Sequence, residues 1–187
     1  MIDIRDAFFD EFYNIASKDS NIIFLTADMG ALGLEKFKID FPNRYINVGV
    51  AEQNLVNVAA GLALAGKRPF IYGIASFITQ RCYEQIKVCI YDMNLPVTII
   101  GSGPGLSYGA DGPTHHLIND IAIMSVLPII ILTPTNVELA RKAVQIAYSS
   151  QLPVYIRLAK DKMLQHYGRY IDYNKAPFML YKGGLKI

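Results

Sequence analysis

Cysteine is nearly missing from this chain: two occur in 187 residues, Cys82 and Cys89. They stand seven apart in a stretch that reads as helix, which separates them by about 10 Å of helical rise. A disulfide does not reach that far. Two sulfurs without a neighbouring histidine pair do not make a zinc site either. Both cysteines are expected in the core. Charge is also scarce. Lys, Arg, Asp and Glu supply 18% of the residues, with a formal net charge of +2, against roughly 25% in an ordinary soluble domain. A basic stripe interleaved with aromatics is lacking, which argues against a nucleic-acid partner. No run approaches the ~18 consecutive apolar residues of a membrane span. Asp3, Arg5, Asp6, Asp10 and Glu11 interrupt the stretch where a signal peptide needs its apolar segment. The expectation is a cytoplasmic protein with no membrane partner. Internal repeats and low-complexity segments are lacking too.

What is present is apolar: 52% of the residues are hydrophobic, and mean hydropathy is +0.24. The length suits one domain with a sizeable core. Such a composition fits a sheet covered on both faces, extra burial against another subunit, or both. Residues 4–17 read as an amphipathic helix with Ile4, Phe8, Phe12 and Ile15 on one face. Strands are expected at 22–26, 45–48, 69–72, 96–100, 128–132 and 153–157, and helices at 51–64, 77–92, 117–126 and 136–148. The strands are continuous apolar runs rather than alternating ones, the pattern of a sheet buried on both sides. Alternation of strand and helix implies right-handed crossovers and a mainly parallel sheet. The fold class is therefore α/β, a three-layer sandwich. The helix at 51–64 is apolar nearly all round, so it is expected inside a larger assembly. After Lys160 the periodicity fades. Residues 1–163 are expected to form the domain, and 164–187 a linker toward an absent C-terminal domain.

Four features could carry chemistry. Glu52 stands at the start of that apolar helix, just after a strand. A helix dipole stabilises an acid there, but a buried carboxylate needs a partner and suits proton sharing. On residues alone the two readings are even. The second feature is the loop at 101–116, with five glycines and two prolines and ending in Asp111-Gly112-Pro113-Thr114-His115-His116. Ligands of open parallel sheets bind at that end of a strand. The loop is neither a dinucleotide fingerprint nor a Walker A loop. A metal reading of the adjacent histidines is weak; the loop reads as substrate-facing. The third is Phe77, Gln80 and Tyr83, whose spacing of three places them on one helix face. The core would equally claim the two aromatics. The fourth is Arg157 with Lys160, cations that could grip a phosphate or simply be solvated.

Taken together, these segments resemble the transketolase superfamily. Gly49-Val50-Ala51-Glu52-Gln53-Asn54, the small-residue helix ending Ala60-Gly61-Leu62-Ala63, Ser76-Phe77 and above all Asp111-Gly112-Pro113-Thr114-His115 carry the resemblance. Order and spacing agree from about residue 4 to 160. The match looks closer to transketolase and 1-deoxyxylulose-5-phosphate synthase than to the beta subunits of 2-oxoacid dehydrogenases. The resemblance implies a thiamine-diphosphate-binding (Pyr) fold, which holds the cofactor's aminopyrimidine ring. Glu52 matches the glutamate that bonds ring nitrogen N1′ and favours the imino tautomer, which deprotonates the thiazolium. A two-carbon ketol unit then passes between sugar phosphates. Phe77 matches the residue that stacks on the ring, and Tyr83 a further residue of that pocket. Asp28 matches a cofactor-side aspartate near the subunit boundary. Asp111 and His115 match substrate-hydroxyl contacts, and Lys160 stands where an Arg often grips the sugar phosphate.

Two positions depart from the family pattern. Gln80 replaces an aromatic residue of the ring pocket, and Gly103 falls near a position where many relatives carry a substrate-facing His. Both bear on the substrate more than on the cofactor, so acyl transfer of the deoxyxylulose type or a specialised sugar stays open. Family members hold the diphosphate and its Mg²⁺ through a Gly-Asp-Gly motif on a separate domain, and no such motif occurs here. The Mg²⁺ ligands are thus expected from another domain or chain, and this chain alone is expected to be inactive, a split subunit or, better, a truncated fragment. A homodimer or heterotetramer is the expected assembly. Competing readings are a beta subunit of a 2-oxoacid dehydrogenase and a non-catalytic binding module.

Overall fold

Residues 2–159, with short strands at 162–163 and 181–182, are described by a computed structural model. In chain order the elements are β1 (Ile2–Asp3), α1 (Ile4–Ala16), β2 (Ile22–Thr26), α2 (Glu35–Asp40), β3 (Tyr45–Asn47), α3 (Glu52–Leu64), β4 (Arg68–Ile74), α4 (Ala75–Thr79), α5 (Tyr83–Gln85), β5 (Thr98–Ser102), α6 (Asp120–Ser125), β6 (Ile130–Leu132), α7 (Val137–Ser149), β7 (Val154–Leu158), β8 (Lys162–Met163) and β9 (Tyr181–Lys182). The main sheet runs β3-β2-β4-β5-β7-β6-β9. All of its pairings are parallel except the antiparallel β6–β9 edge. β1 and β8 form a separate antiparallel pair.

Side chains alternate along each strand, and both faces are covered. Ile22, Phe24, Phe70, Tyr72, Ile100, Val154 and Ile156 turn toward α1 and α7. Ile23, Leu25, Ile71, Ile99, Ile131 and Tyr155 turn toward α3, the stretch around 78–90 and α6. The result is three layers, helix, sheet, helix, as the continuous apolar strands imply. Side-chain caps set two helix starts: Asp3 accepts from the Arg5 backbone N–H at 2.8 Å, and Asn136 accepts from that of Leu139 at 2.9 Å. Ile4, Phe8 and Phe12 of α1 are buried as expected. Phe9 and Ala16 complete that face, while Ile15 is only half-buried.

Three differences from the expected elements concern the site. The single helix expected at 77–92 is broken: α4 ends at Thr79, residues 80–82 turn, α5 follows, and Ile86–Tyr91 winds as a π-helix. Periodicity alone does not register such a break, because the apolar residues still repeat at helical intervals. The helix at 51–64 is not apolar-buried all round in this chain: Gln53, Asn54, Asn57 and Gly61 are exposed, and Leu64 is 61% exposed. The helix expected at 117–126 shortens to α6. Of the linker expected at 164–187, only the backbone at 181–182 lies within the described residues, and it adds an edge strand.

All the parallel strands end at one edge, so the turns after β2, β4 and β5 converge there, carrying Asp28, Phe77 and the 103–119 loop. Gly101 in β5 is needed for that convergence. A Cβ there would stand 3.0 Å from the Tyr155 ring and 3.1 Å from the Ala75 Cα, so β5 and the start of α4 touch only because the residue is glycine.

Phe12 packs against the rings of Phe24, Phe37 and Phe70 at centroid distances of 5.2, 5.0 and 5.1 Å. Phe12→Ala is expected to cost about 3–5 kcal/mol of folding free energy. Urea denaturation followed by circular dichroism would measure it.

Candidate functional site

Glu52 is the first residue of α3. The chain reaches it through Gly49, whose φ of +74° lies in the left-handed region that favours glycine. The carboxylate is buried, 5% exposed. Its Oε2 accepts a charge-assisted bond from the Arg81 guanidinium at 2.7 Å. Arg81 belongs to the turn between α4 and α5, and its guanidinium also lies over the Phe77 ring, 4.3 Å from the centroid. Gln53 donates its side-chain N–H to the Arg81 carbonyl at 3.2 Å, so the start of α3 holds this turn twice. Sequence patterns do not point to Arg81. Its position, 29 residues from Glu52, offers no local signal.

Phe77 has a second neighbour. The His115 ring meets it at 4.9 Å and an interplanar angle of 61°. The loop that carries His115 is docked by the Ser76 hydroxyl, which donates to the Thr114 carbonyl at 3.2 Å. The Tyr108 ring approaches His115 at 5.6 Å. Gly103 makes room for Tyr108: a Cβ there, at a φ of +66°, would stand 2.3 Å from its ring. Glycine at this position is therefore required by packing. Asp111 lies exposed in a 3₁₀ turn of the same loop.

Gln80 and Tyr83 do share a wall, but without Phe77. They line an open cavity of about 330 Å³ with Asn119, Ile123 and Val126. Gln80 donates to the Asn119 side-chain oxygen at 2.5 Å. The expected common face of Phe77, Gln80 and Tyr83 is thus divided by the break in the helix. Asp28 adopts a left-handed φ of +54°. Its backbone N–H donates to Asn47 at 2.9 Å, and the same Asn47 oxygen accepts from the Gly49 N–H at 3.0 Å. Asp28 is thereby tied to the turn that leads into Glu52. Lys160 lies outside the described residues.

Arg157 is neither a free phosphate-binding cation nor a solvated charge. It donates to Asp120 through Nε at 2.5 Å and through a terminal nitrogen at 3.2 Å. The Tyr155 hydroxyl donates to the same carboxylate at 2.8 Å. Asp120 is fully buried, and this cluster fastens the start of α6, beside Asn119, to β7. Among the described residues, no group of three or more His, Cys, Asp or Glu stands close enough to hold a metal ion. None of their helices is long and apolar enough to cross a membrane.

A family model described as transketolase, pyrimidine binding domain, matches residues 1–165. The chain belongs to this family. Among curated relatives, this pyrimidine-binding domain is 36% identical over 162 residues to an apulose-4-phosphate transketolase subunit of Phocaeicola vulgatus, covering 86% of this chain and 52% of that one. It is 34% identical over 184 residues to the 6-deoxy-6-sulfo-D-fructose transketolase subunit SqwH of a Clostridium species, covering 97% and 56%. The chain therefore spans about half the length of these relatives. A solved structure described as a split gene transketolase, inactive beta4 tetramer, superposes with a TM-score of 0.79 at 32% identity, covering 91% of this chain and 55% of that one. Transketolase of Campylobacter jejuni shares the fold at a TM-score of 0.77 and 20% identity, with 87% and 26% covered.

Burial, and then the nearby Glu52 charge, push the Cys82 thiol up to about 12 from 9.0. Burial, and then Asp120, hold the Tyr155 phenol well above its usual 10.0. Both groups keep their protons in the fold at pH values where the unfolded chain has released them. The thiol's contribution is complete below about 9 and is lost as pH rises toward about 12, and the phenol acts in the same direction above its usual 10.0. The urea midpoint is expected to fall across that window, and Cys82→Ser, which removes one titrating group, to fall less steeply. Urea titrations at a series of pH values check this; equal slopes would contradict it.

Proposed function

We propose that this chain is the pyrimidine-binding component of a thiamine-diphosphate-dependent, transketolase-like transferase. It moves a two-carbon ketol unit between sugar phosphates and works only with a diphosphate-binding domain or subunit. The observation that carries this reading is a buried carboxylate, Glu52, joined to the ring of Phe77 through the Arg81 guanidinium. The donor set fits an aminopyrimidine: a flat, N–H-bearing cation already lies on Phe77 and bonds Glu52. The Arg81 guanidinium stands in there for a flat ring with a donor aimed at the carboxylate.

When bound, thiamine diphosphate supplies a nucleophilic carbon that carries the two-carbon unit. The chain's own residues do the rest. Glu52, itself buried, would offer its carboxylate to ring nitrogen N1′, away from water, where such a bond is strong. Phe77 fixes the plane of the ring. Gln80 and Tyr83, which line a separate cavity beyond the helix break, are assigned to the cofactor side as well, as is Asp28 from the turn tied to Asn47. His115, packed on Phe77, and Asp111 are assigned the substrate hydroxyls, and Lys160 the sugar phosphate. The diphosphate and Mg²⁺ are held by the partner, which makes a homodimer or heterotetramer the working form, in the cytoplasm. The relatives named as transketolase subunits support a split enzyme. Their sugars, apulose-4-phosphate and 6-deoxy-6-sulfo-D-fructose, support a specialised donor. The inactive beta-only tetramer supports dependence on a partner.

Calorimetry with thiamine diphosphate and Mg²⁺ tests the proposal, on this chain alone and then with its diphosphate-binding subunit. Binding only in the assembly is expected; no binding in either form would refute the function. In that assembly Glu52→Gln is expected to lower turnover by about 100- to 10,000-fold while leaving the urea midpoint nearly unchanged. Turnover equal to wild type would remove Glu52 from the mechanism.

A further inference from the structure

Arg81 is the residue between the two groups that would grip the ring. Its side chain is 46% exposed, while that of Glu52 is 6% exposed. It bonds Glu52 at 2.7 Å and stacks on Phe77 at 4.3 Å. Its guanidinium is planar, cationic and rich in N–H donors. These are the properties that a carboxylate and an aromatic face would select in an aminopyrimidine. A guanidinium and a ring cannot both use the same face of Phe77 and the same carboxylate oxygen.

We propose that Arg81 is the gate of the ring site: its guanidinium holds the place of the aminopyrimidine before the cofactor binds and swings out when the ring enters. The inference rests on the thiamine-diphosphate reading above. The location favours movement. Arg81 lies in the turn at 80–82 where the expected helix breaks, so its side chain leaves without unwinding a helix. Nearly half of that side chain is in solvent, which gives the guanidinium somewhere to go. Glu52 is fixed at the start of α3 and stays. The pairing also answers a physical requirement, since a buried carboxylate without a partner is costly. Arg81 satisfies it until the ring does. Arg81 keeps the carboxylate paired before assembly, while lowering the fraction of binding-competent sites.

The test uses the complex of this chain with its diphosphate-binding subunit and the probe thiamine diphosphate with Mg²⁺. Calorimetry gives the dissociation constant, and stopped-flow circular dichroism gives the association rate. Wild type is compared with Arg81→Met, which keeps the length and loses the donors, and with Arg81→Lys, which keeps the charge but has no flat face. With most sites closed in the wild type, Arg81→Met is expected to bind about tenfold more tightly and faster, and Arg81→Lys to fall between. Binding by wild type with an unchanged or weaker constant in both variants would overturn the gate and leave the function standing. Failure of the wild-type complex to bind would overturn both. If Arg81→Met does not fold, Arg81→Lys and a cofactor-bound crystal structure decide. A guanidinium still lying between Glu52 and Phe77 in that structure overturns the proposal, and one displaced from both supports it.

Discussion

A parallel sheet cannot turn back on itself with a tight hairpin, so each crossover here leaves one edge and returns to the other. That constraint shapes the whole molecule. Crossover helices cover both faces, which is why strands such as Ile22–Thr26 are buried at every position. It also places the C-terminal ends of β2 to β7 along one edge. The turns that leave β2, β4 and β5 are brought together by the sheet, and they carry Asp28, Phe77 and the long glycine-rich loop. The chemistry of the site is assembled by the topology before any specific contact is made.

Buried polar groups then fix what the sheet brings near. The Asp120–Arg157–Tyr155 cluster pins the end of the long loop to β7 by three hydrogen bonds inside the core. Removing one member of such a cluster is more damaging than never having built it, because the remaining charge stays buried without a partner. Gly103 and Tyr108 act at the other end of the loop, and the Ser76 hydroxyl in its middle. The loop is thus held at three places while Asp111 between them remains exposed.

The outer surface of α3 links the site to the question of partners. Glu52 and Leu55 face inward, while Gln53, Asn54 and Asn57 face outward with Leu64. Val50, just before the helix, is 75% exposed. One helix therefore turns its carboxylate inward to Arg81 and a mixed polar and apolar surface to the outside.

Much of this was legible in the amino-acid sequence. Continuous apolar runs specify strands covered on both faces, and their alternation with helices specifies a parallel sheet, because hydrophobic periodicity is local and the sheet follows from it. Asp111-Gly112-Pro113-Thr114-His115 with Glu52 upstream specified the family, which the match over residues 1–165 bears out. Tertiary structure alone decided three things. It broke the helix after Thr79, since apolar spacing does not record a turn inserted between two helical pieces; this separated Phe77 from Gln80 and Tyr83. It turned Arg157 inward onto Asp120, because an ion pair between residues 37 apart exists only once β7 and α6 are packed together. And it set Arg81 between Glu52 and Phe77. No sequence interval encodes that contact; it arises where two helix ends, distant along the chain, are pressed against the same edge of the sheet.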